Sequence, residues 1–168
     1  PNLPTNGTNL IAWGDNTYGQ AEVPDSLVSG SILMTAVGGN HNTIVTDDDQ
    51  FVRVISWGDN SHYQCDVPER FNPVSDSLEI VFIDAGANHT IITYDSSGFL
   101  KMAAWGDNSS GQLNVPTEEE LNGSSKFLAM SSGYYHNFAI FYDETINYSD
   151  QLLQGNIVDT LFTQVISD

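Results

Sequence analysis

Trp105-Gly106-Asp107-Asn108-Ser109-Ser110-Gly111-Gln112-Leu113-Asn114-Val115-Pro116 is the stretch that decides the fold, because it occurs three times. Trp13-Gly14-Asp15-Asn16 runs on into Gly19-Gln20-Ala21-Glu22-Val23-Pro24, and Trp57-Gly58-Asp59-Asn60 into Tyr63-Gln64-Cys65-Asp66-Val67-Pro68. A second phrase, Gly-x-x-His, interleaves with the first at Gly38/His41, Gly86/His89 and Gly133/His136. Two phrases recurring in fixed order at intervals of 44 to 48 residues are an internal repeat. Periods of this length mark arrays of supersecondary units, four-stranded propeller blades among them.

Working outward from the third phrase, Ile80-Val81-Phe82-Ile83 is a β-branched and aromatic run that reaches Gly86. His89 to Tyr94 reads as a second strand, Asp95-Ser96-Ser97-Gly98 as a turn, and Phe99 to Trp105 as a third strand. Runs of this length, bounded by Gly, Asp, Asn and Ser, predict an antiparallel meander. Gln112 to Val115 is expected as a short fourth strand ended by Pro116, which cannot donate to a ladder. Upstream, Ile32 to Ala36, Asn42 to Thr46 and Phe51 to Trp57 repeat the scheme, and downstream Phe127 to Met130 and His136 to Tyr142 do so. The stretches Asp25 to Gly30, Glu69 to Leu78 and Thr117 to Ser125 read as loops of variable length between blades.

The chain is expected to be one repeat domain over 1–168: all-β, a partial β-propeller of about three four-stranded antiparallel blades. Residues 143–168 are expected to form a degenerate end unit or cap. Sixteen residues beyond His41 and His89 stand Trp57 and Trp105, but the same count from His136 reaches Leu152. Apolar residues at 157, 158, 161, 162, 165 and 166 fit a helix, and their β-branched content fits a terminal strand pair equally. An atypical terminal unit suits a repeat array. The start, Pro1-Asn2-Leu3-Pro4, reads as a processed product or a piece of something longer.

Gly-x-x-His before a strand, Trp-Gly sixteen residues later and then Asn-x-x-Gly-Gln resemble the regulator of chromosome condensation repeat family. The likeness covers roughly residues 10 to 142 and is nearest a bacterial-style variant, read here as Ala104 to Pro116. The resemblance implies a seven-bladed propeller, which at this period needs about 330 residues. With 168 residues the chain supplies about half a ring, so two apolar blade faces are expected to be exposed. Tyr63 stands where Gly19 and Gly111 stand, and an altered middle turn is expected there.

Chemistry is harder to place. The repeat glycines and tryptophans (Trp13, Gly14, Trp57, Gly58, Trp105, Gly106, with Gly38, Gly86 and Gly133) read as structural. His41, His89 and His136 invite a metal-site reading, but each holds one repeat position whose role in the resembled family is structural, bonding backbone between strands. Zn needs ligands near 2 Å, whereas equivalent atoms of adjacent blades stand well apart. The Asp-Asn pairs at 15–16, 59–60 and 107–108 read as turns stabilised by their own side chains. Asp47-Asp48-Asp49 reads as a solvated hairpin tip, and Glu118-Glu119-Glu120 as a short helical start after Thr117. Cys65, the one cysteine, reads as a small unreactive filler beside Asp66. No phosphate loop, nucleophile elbow or Cys/His metal box is present, so no catalytic residue, metal or cofactor is expected.

With 22 acidic against 4 basic residues the net charge is −18, which disfavours nucleic acid and anionic membranes as partners, and no apolar run is long enough for membrane insertion. Sequons at Asn6, Asn88, Asn108, Asn122 and Asn147 are candidate glycosylation sites and favour an exterior location, extracellular or on a virion surface. The expected role is a non-enzymatic structural or adhesive module whose partners are proteins, either copies of itself or neighbouring subunits of an assembly. The alternative is a protein-binding propeller acting as an enzyme inhibitor or recognition module, with Tyr18, His62 and Tyr63 on its binding loops. Nucleotide exchange on a small GTPase, which the resemblance also implies, ranks last, since neither its inserted wedge nor basic tails are recognisable.

Overall fold

The structure, a computed structural model, describes residues 10–27, 31–47, 51–121 and 125–143. Among these, antiparallel strands form three successive sheets. The first holds β1 (Ser31–Val37), β2 (His41–Asp47) and β3 (Val52–Gly58), and the second β4 (Leu78–Ala85), β5 (His89–Ser96) and β6 (Phe99–Gly106). The third holds β7 (Ser125–Ser132) and β8 (Asn137–Asp143). The all-β meander expected from the sequence is present, with β1, β4 and β7 side by side so that the sheets stack as blades.

Local chemistry explains the turns. Between β5 and β6, Ser97 (φ 59°) and Gly98 (φ 85°) both take positive φ, and the Gly98 amide donates to Asp95 Oδ1 at 2.8 Å. That is the two-residue turn whose twist matches paired strands. At the other end of each blade Gly38, Gly86 and Gly133 donate their amides to the carbonyls of His41, His89 and His136 at 2.8–2.9 Å, closing the hairpin.

The expected fourth strand is absent from these sheets, which have three strands at most. Gln112 to Val115 forms a turn because its amides find partners locally. The Asn114 amide donates to Gly111 O (3.0 Å), and the Leu113 amide to Asn108 Oδ1 (2.9 Å). The outer edge of β3 is instead occupied by the stretch between blades. The Val54 amide donates to Phe71 O at 2.9 Å and the Val74 amide to Val52 O at 2.8 Å, on either side of the cis Asn72–Pro73 bond. Beside β6 lies the helical turn α1 (Glu118–Leu121). Thr117 and Glu120 cap it reciprocally, the Thr117 amide and hydroxyl donating to Glu120 Oε2 at 2.7 and 2.9 Å. The helical start read from the sequence is therefore present.

Those inter-blade stretches are more than loops. Leu27, Phe71, Val74 and Leu121 are all buried. Phe71 is fully enclosed, edge-on to Tyr94 at 5.2 Å and beside Trp105 at 6.3 Å. One core fills the space between the first two blades, built on Val45, Val54, Phe71, Ile83, Ile92 and Trp105. A second, built on Ile91, Met102, Leu121 and Met130, lies between the second and third blades. β5 is buried from His89 to Tyr94 because both its faces meet a neighbour. The expected cap lies almost wholly outside the described residues, as do Asn6, Asn122, Asn147 and Asp48-Asp49 of the acidic tip.

Candidate functional site

The two repeat phrases meet at one end of the blades. Asp59 and Asp107 donate their amides to the carbonyls of Asn40 and Asn88, each at 2.8 Å, pinning the Trp-Gly-Asp-Asn loop onto the Gly-x-x-His hairpin. The exposed side chains of Tyr18, His62, Tyr63, Tyr134 and Tyr135 sit on these loops.

Each long phrase folds into the same side-chain-braced turn. Asn16, Asn60 and Asn108 accept amides from Ala21, Cys65 and Leu113 at 2.9 Å. Gln20, Gln64 and Gln112 accept amides from Tyr18, His62 and Ser110 at 2.8–2.9 Å. The Thr17 hydroxyl donates to Asp15 at 2.7 Å, and the Ser109 amide and hydroxyl donate to Asp107 at 2.9 and 2.8 Å. These bonds hold the carboxyls of Asp15 and Asp107 below the usual carboxylate range. The aspartates are thus committed to the turns.

The middle turn keeps the shape of its siblings, contrary to the alteration expected at Tyr63. Tyr63 takes φ 64°, beside 76° at Gly19 and 79° at Gly111. A side chain in the left-handed region costs about 1–2 kcal/mol, and the surrounding bonds hold the residue there. Its ring is 69% exposed, so the strained backbone presents an aromatic to solvent. Cys65 follows, half-buried, its thiol donating to Asp59 O at 3.3 Å. Burial, then the charges of Asp59 and Asp66, push that thiol up to about 11, so it stays protonated and inert.

The histidines act between blades. His41 Nε2 lies 2.9 Å from Thr90 Oγ1 of the second blade, and His89 Nε2 lies 2.8 Å from Asn137 Oδ1 of the third. The expected bond to backbone between strands is not made by the rings of His41 and His89, because the hairpin amides already have backbone partners. Thr90 donates its own hydroxyl to Gln64 O (3.3 Å) and Asn137 its amide to Gln112 O (2.8 Å), so each accepts from an Nε2–H. Nδ1 of each ring packs against Gly38 or Gly86, where a Cβ would overlap the ring. Burial, then the neighbouring His89, pull His41 down to about 4. Among the described residues no three His, Cys, Asp or Glu side chains are grouped to hold a metal ion, and no helix is long and apolar enough to cross a membrane.

The tryptophans complete the link. Trp57 Nε1 donates to Gln20 O at 3.2 Å and Trp105 Nε1 to Gln64 O at 3.0 Å. The first two repeat phrases are thus each read by the next repeat along the chain.

Solved structures locate this arrangement among known folds. The ectodomain of the receptor kinase CR4 from Physcomitrella patens superposes with a TM-score of 0.54 at 19% identity, covering 79% of this chain and 33% of that one. Yeast Prp20p, alone and as RCC1 (Prp20) bound to Kap60, superposes with a TM-score of 0.53 at 22% identity over 76% of this chain. The fold is an RCC1-like β-propeller, in part. The chain spans 33–38% of the length of these structures. No protein-family profile and no curated protein matches the chain by sequence. The RCC1-like blades agree with the phrases that carried the resemblance, and the Prp20p study concerns binding to Gsp1p and histones.

Sequence reasoning passed over several residues that the fold brings forward. Tyr134 and Tyr135, with ring centroids 4.4 Å apart, interrupt the third Gly-x-x-His where Gly39-Asn40 and Ala87-Asn88 stand in its siblings. That break in pattern was the available signal. Of the described sequons, Asn88 is half-buried, whereas Asn108 is exposed with its side-chain oxygen engaged by the Leu113 amide.

Proposed function

We propose that the chain is a non-enzymatic, protein-binding propeller arc that works within a larger assembly on an exterior surface, extracellular or virion. The observation that carries this reading is the state of the two ends of the described arc. Phe138 and Ile140 on β8 are 55% and 44% exposed, whereas Ile91 and Thr93 at the same repeat positions are 2% and 0% exposed. At the other end Trp13 is 85% exposed and Val37 73%. Apolar surface of this kind marks an interaction site. The neighbouring folds support a binding role, since Prp20p was studied for its binding to Gsp1p and histones and was solved with Kap60. The repeat phrasing is assigned to the bacterial-style variant of the family on Ala104 to Pro116.

Asp15, Asp59, Asp107, Cys65, His41 and His89 support a structural role, being engaged in turns and blade contacts. For the exterior location, the sequons and the charge of −18 are the support. Expression through a eukaryotic secretory pathway tests it. Glycan mass removable by an endoglycosidase is expected on at least one of Asn6, Asn108, Asn122 or Asn147, and an unmodified secreted chain speaks against it. A second reading, a recognition face on the loops, is favoured by Tyr63, which keeps an exposed ring at a position its sibling repeats give to glycine.

A further inference from the structure

Two of the three blades close with a strand that the third lacks among the described residues, and a copy of that strand's sequence lies at the other end of the chain, outside the described sheets. β3 and β6 end in Trp57-Gly58-Asp59 and Trp105-Gly106-Asp107 and pair with β2 and β5 in one register: His41 faces Gly58, Asn42 faces Trp57, and likewise His89 faces Gly106 and Thr90 faces Trp105. Leu10 to Asp15 carries the same ending and pairs with no strand among the described residues. Its Gly14 already has φ 108°, against 110° at Gly58 and Gly106. At those two glycines a neighbouring carbonyl, Asn40 O or Asn88 O, fills the space a Cβ would need, while a Cβ at Gly14 would meet open space.

Acceptors for this strand stand ready on the third blade. Gln20 O takes the indole of Trp57 and the amide of Asn42, and Gln64 O takes the indole of Trp105 and the hydroxyl of Thr90. Gln112 O takes Asn137 Nδ2, and the indole place beside it has no tryptophan. Leu10 to Trp13 also stands away from the first blade, leaving a cleft of about 580 Å³ lined by Ile11, Trp13, Val37, Ile44 and Trp57. The outer face of β8, with Phe138 and Ile140, is the surface that enters such a cleft when blades stack.

We infer that Leu10 to Trp13 of one copy adds to β8 of a second copy as the missing third strand, joining the arcs head to tail. This rests on the reading of the chain as part of an assembly and names the partner as the chain itself. Trp13 Nε1 donates to Gln112 O of the other copy, the Asp15 amide to Tyr135 O, and His136 faces Asn42 as His41 faces Thr90. Main-chain pairing supplies affinity and the indole fixes the register. The interface is heterologous, so copies add until rotation closes a ring or continue as a filament.

Native mass spectrometry of the full chain at micromolar concentration, with Trp13→Ala in parallel, tests the inference together with a cross-link. The expected result is multiples of 18.4 kDa that Trp13→Ala weakens about tenfold or more. Mixing Ala12→Cys with Phe138→Cys should give a disulfide between different molecules, since the register sets these Cα atoms about 4.5–5.5 Å apart. Ala12→Cys mixed with Tyr142→Cys should give none. Oligomers that persist in Trp13→Ala and fail to cross-link leave the assembly reading standing and overturn strand donation. A monomer overturns both and assigns the edge of β8 to residues 144–168 or to a different protein.

Discussion

Trp105 and Trp13 occupy one repeat position, yet Trp105 is 7% exposed and Trp13 85%. His89 and His136 differ the same way, the first fully enclosed and the second exposed. Among the described residues the middle blade has a neighbour on each side and the ends do not. What this contrast teaches is that the repeat phrase encodes a joint between blades rather than a blade. Gln64 O, Trp105 Nε1, Thr90 and His41 come from three successive repeats and meet in one hydrogen-bonded chain. A lone copy of the phrase would have little to bond to.

The contrast is broken most forcefully at the tryptophans. Trp105→Ala should lose about 3–5 kcal/mol of stability, while Trp13→Ala should change the folding of an isolated copy by less than about 0.5 kcal/mol. Urea titration of both variants under dilute conditions measures the gap, and equal losses would contradict it. Acid sharpens the comparison next. Because the ring of His41 is held down to about 4 by burial, the folded state resists a proton that the unfolded chain accepts below about 6.5. Stability should therefore fall between pH 6.5 and 4, by up to about 3 kcal/mol. Asp15 and Asp107, held low by hydrogen bonds, stay charged through that window and lose their contribution only below it. His41→Gln should flatten the slope, as read from denaturation midpoints across that range.

Glycine tests the same logic on the backbone. A Cβ on Gly86 overlaps the ring of His89 and sits 2.5 Å from Gly133 O of the next blade, whereas at Gly133 its nearest contacts are with the exposed ring of its own His136. Gly86→Ala should cost about 1–3 kcal/mol and Gly133→Ala well under that, because an exposed ring can turn aside. Thermal midpoints of the pair decide it. The smallest effect is expected at Tyr63, where Tyr63→Gly relieves the positive φ and should raise stability by up to about 1 kcal/mol. A loss on that substitution would mean that the ring itself packs in the folded state.

The periodic part of the fold was legible before any coordinates. Ile80 to Ile83, His89 to Tyr94 and Phe99 to Trp105 all fall within β4, β5 and β6, and the helical start read after Thr117 begins at Glu118. What stayed hidden was non-local. Phe71 and Leu121 lie in polar stretches of unequal length, and only packing against Trp105 or Met130 shows them to be anchors. The inter-blade reach of His41 was hidden for the same reason, since its partner Thr90 lies 49 residues away. Gln112 to Val115 misled because its strand-forming residues find local acceptors in Asn108 and Gly111 first.

One phrase is buried or bare according to whether a neighbour reads it. Hydrogen exchange of the three indole N–H groups, followed by NMR at low and high protein concentration, tests it most directly. Trp105 should be protected at both, Trp57 less so, and Trp13 should exchange freely when dilute and become protected as copies associate. A Trp13 indole as protected as that of Trp105 in the dilute monomer would contradict the account.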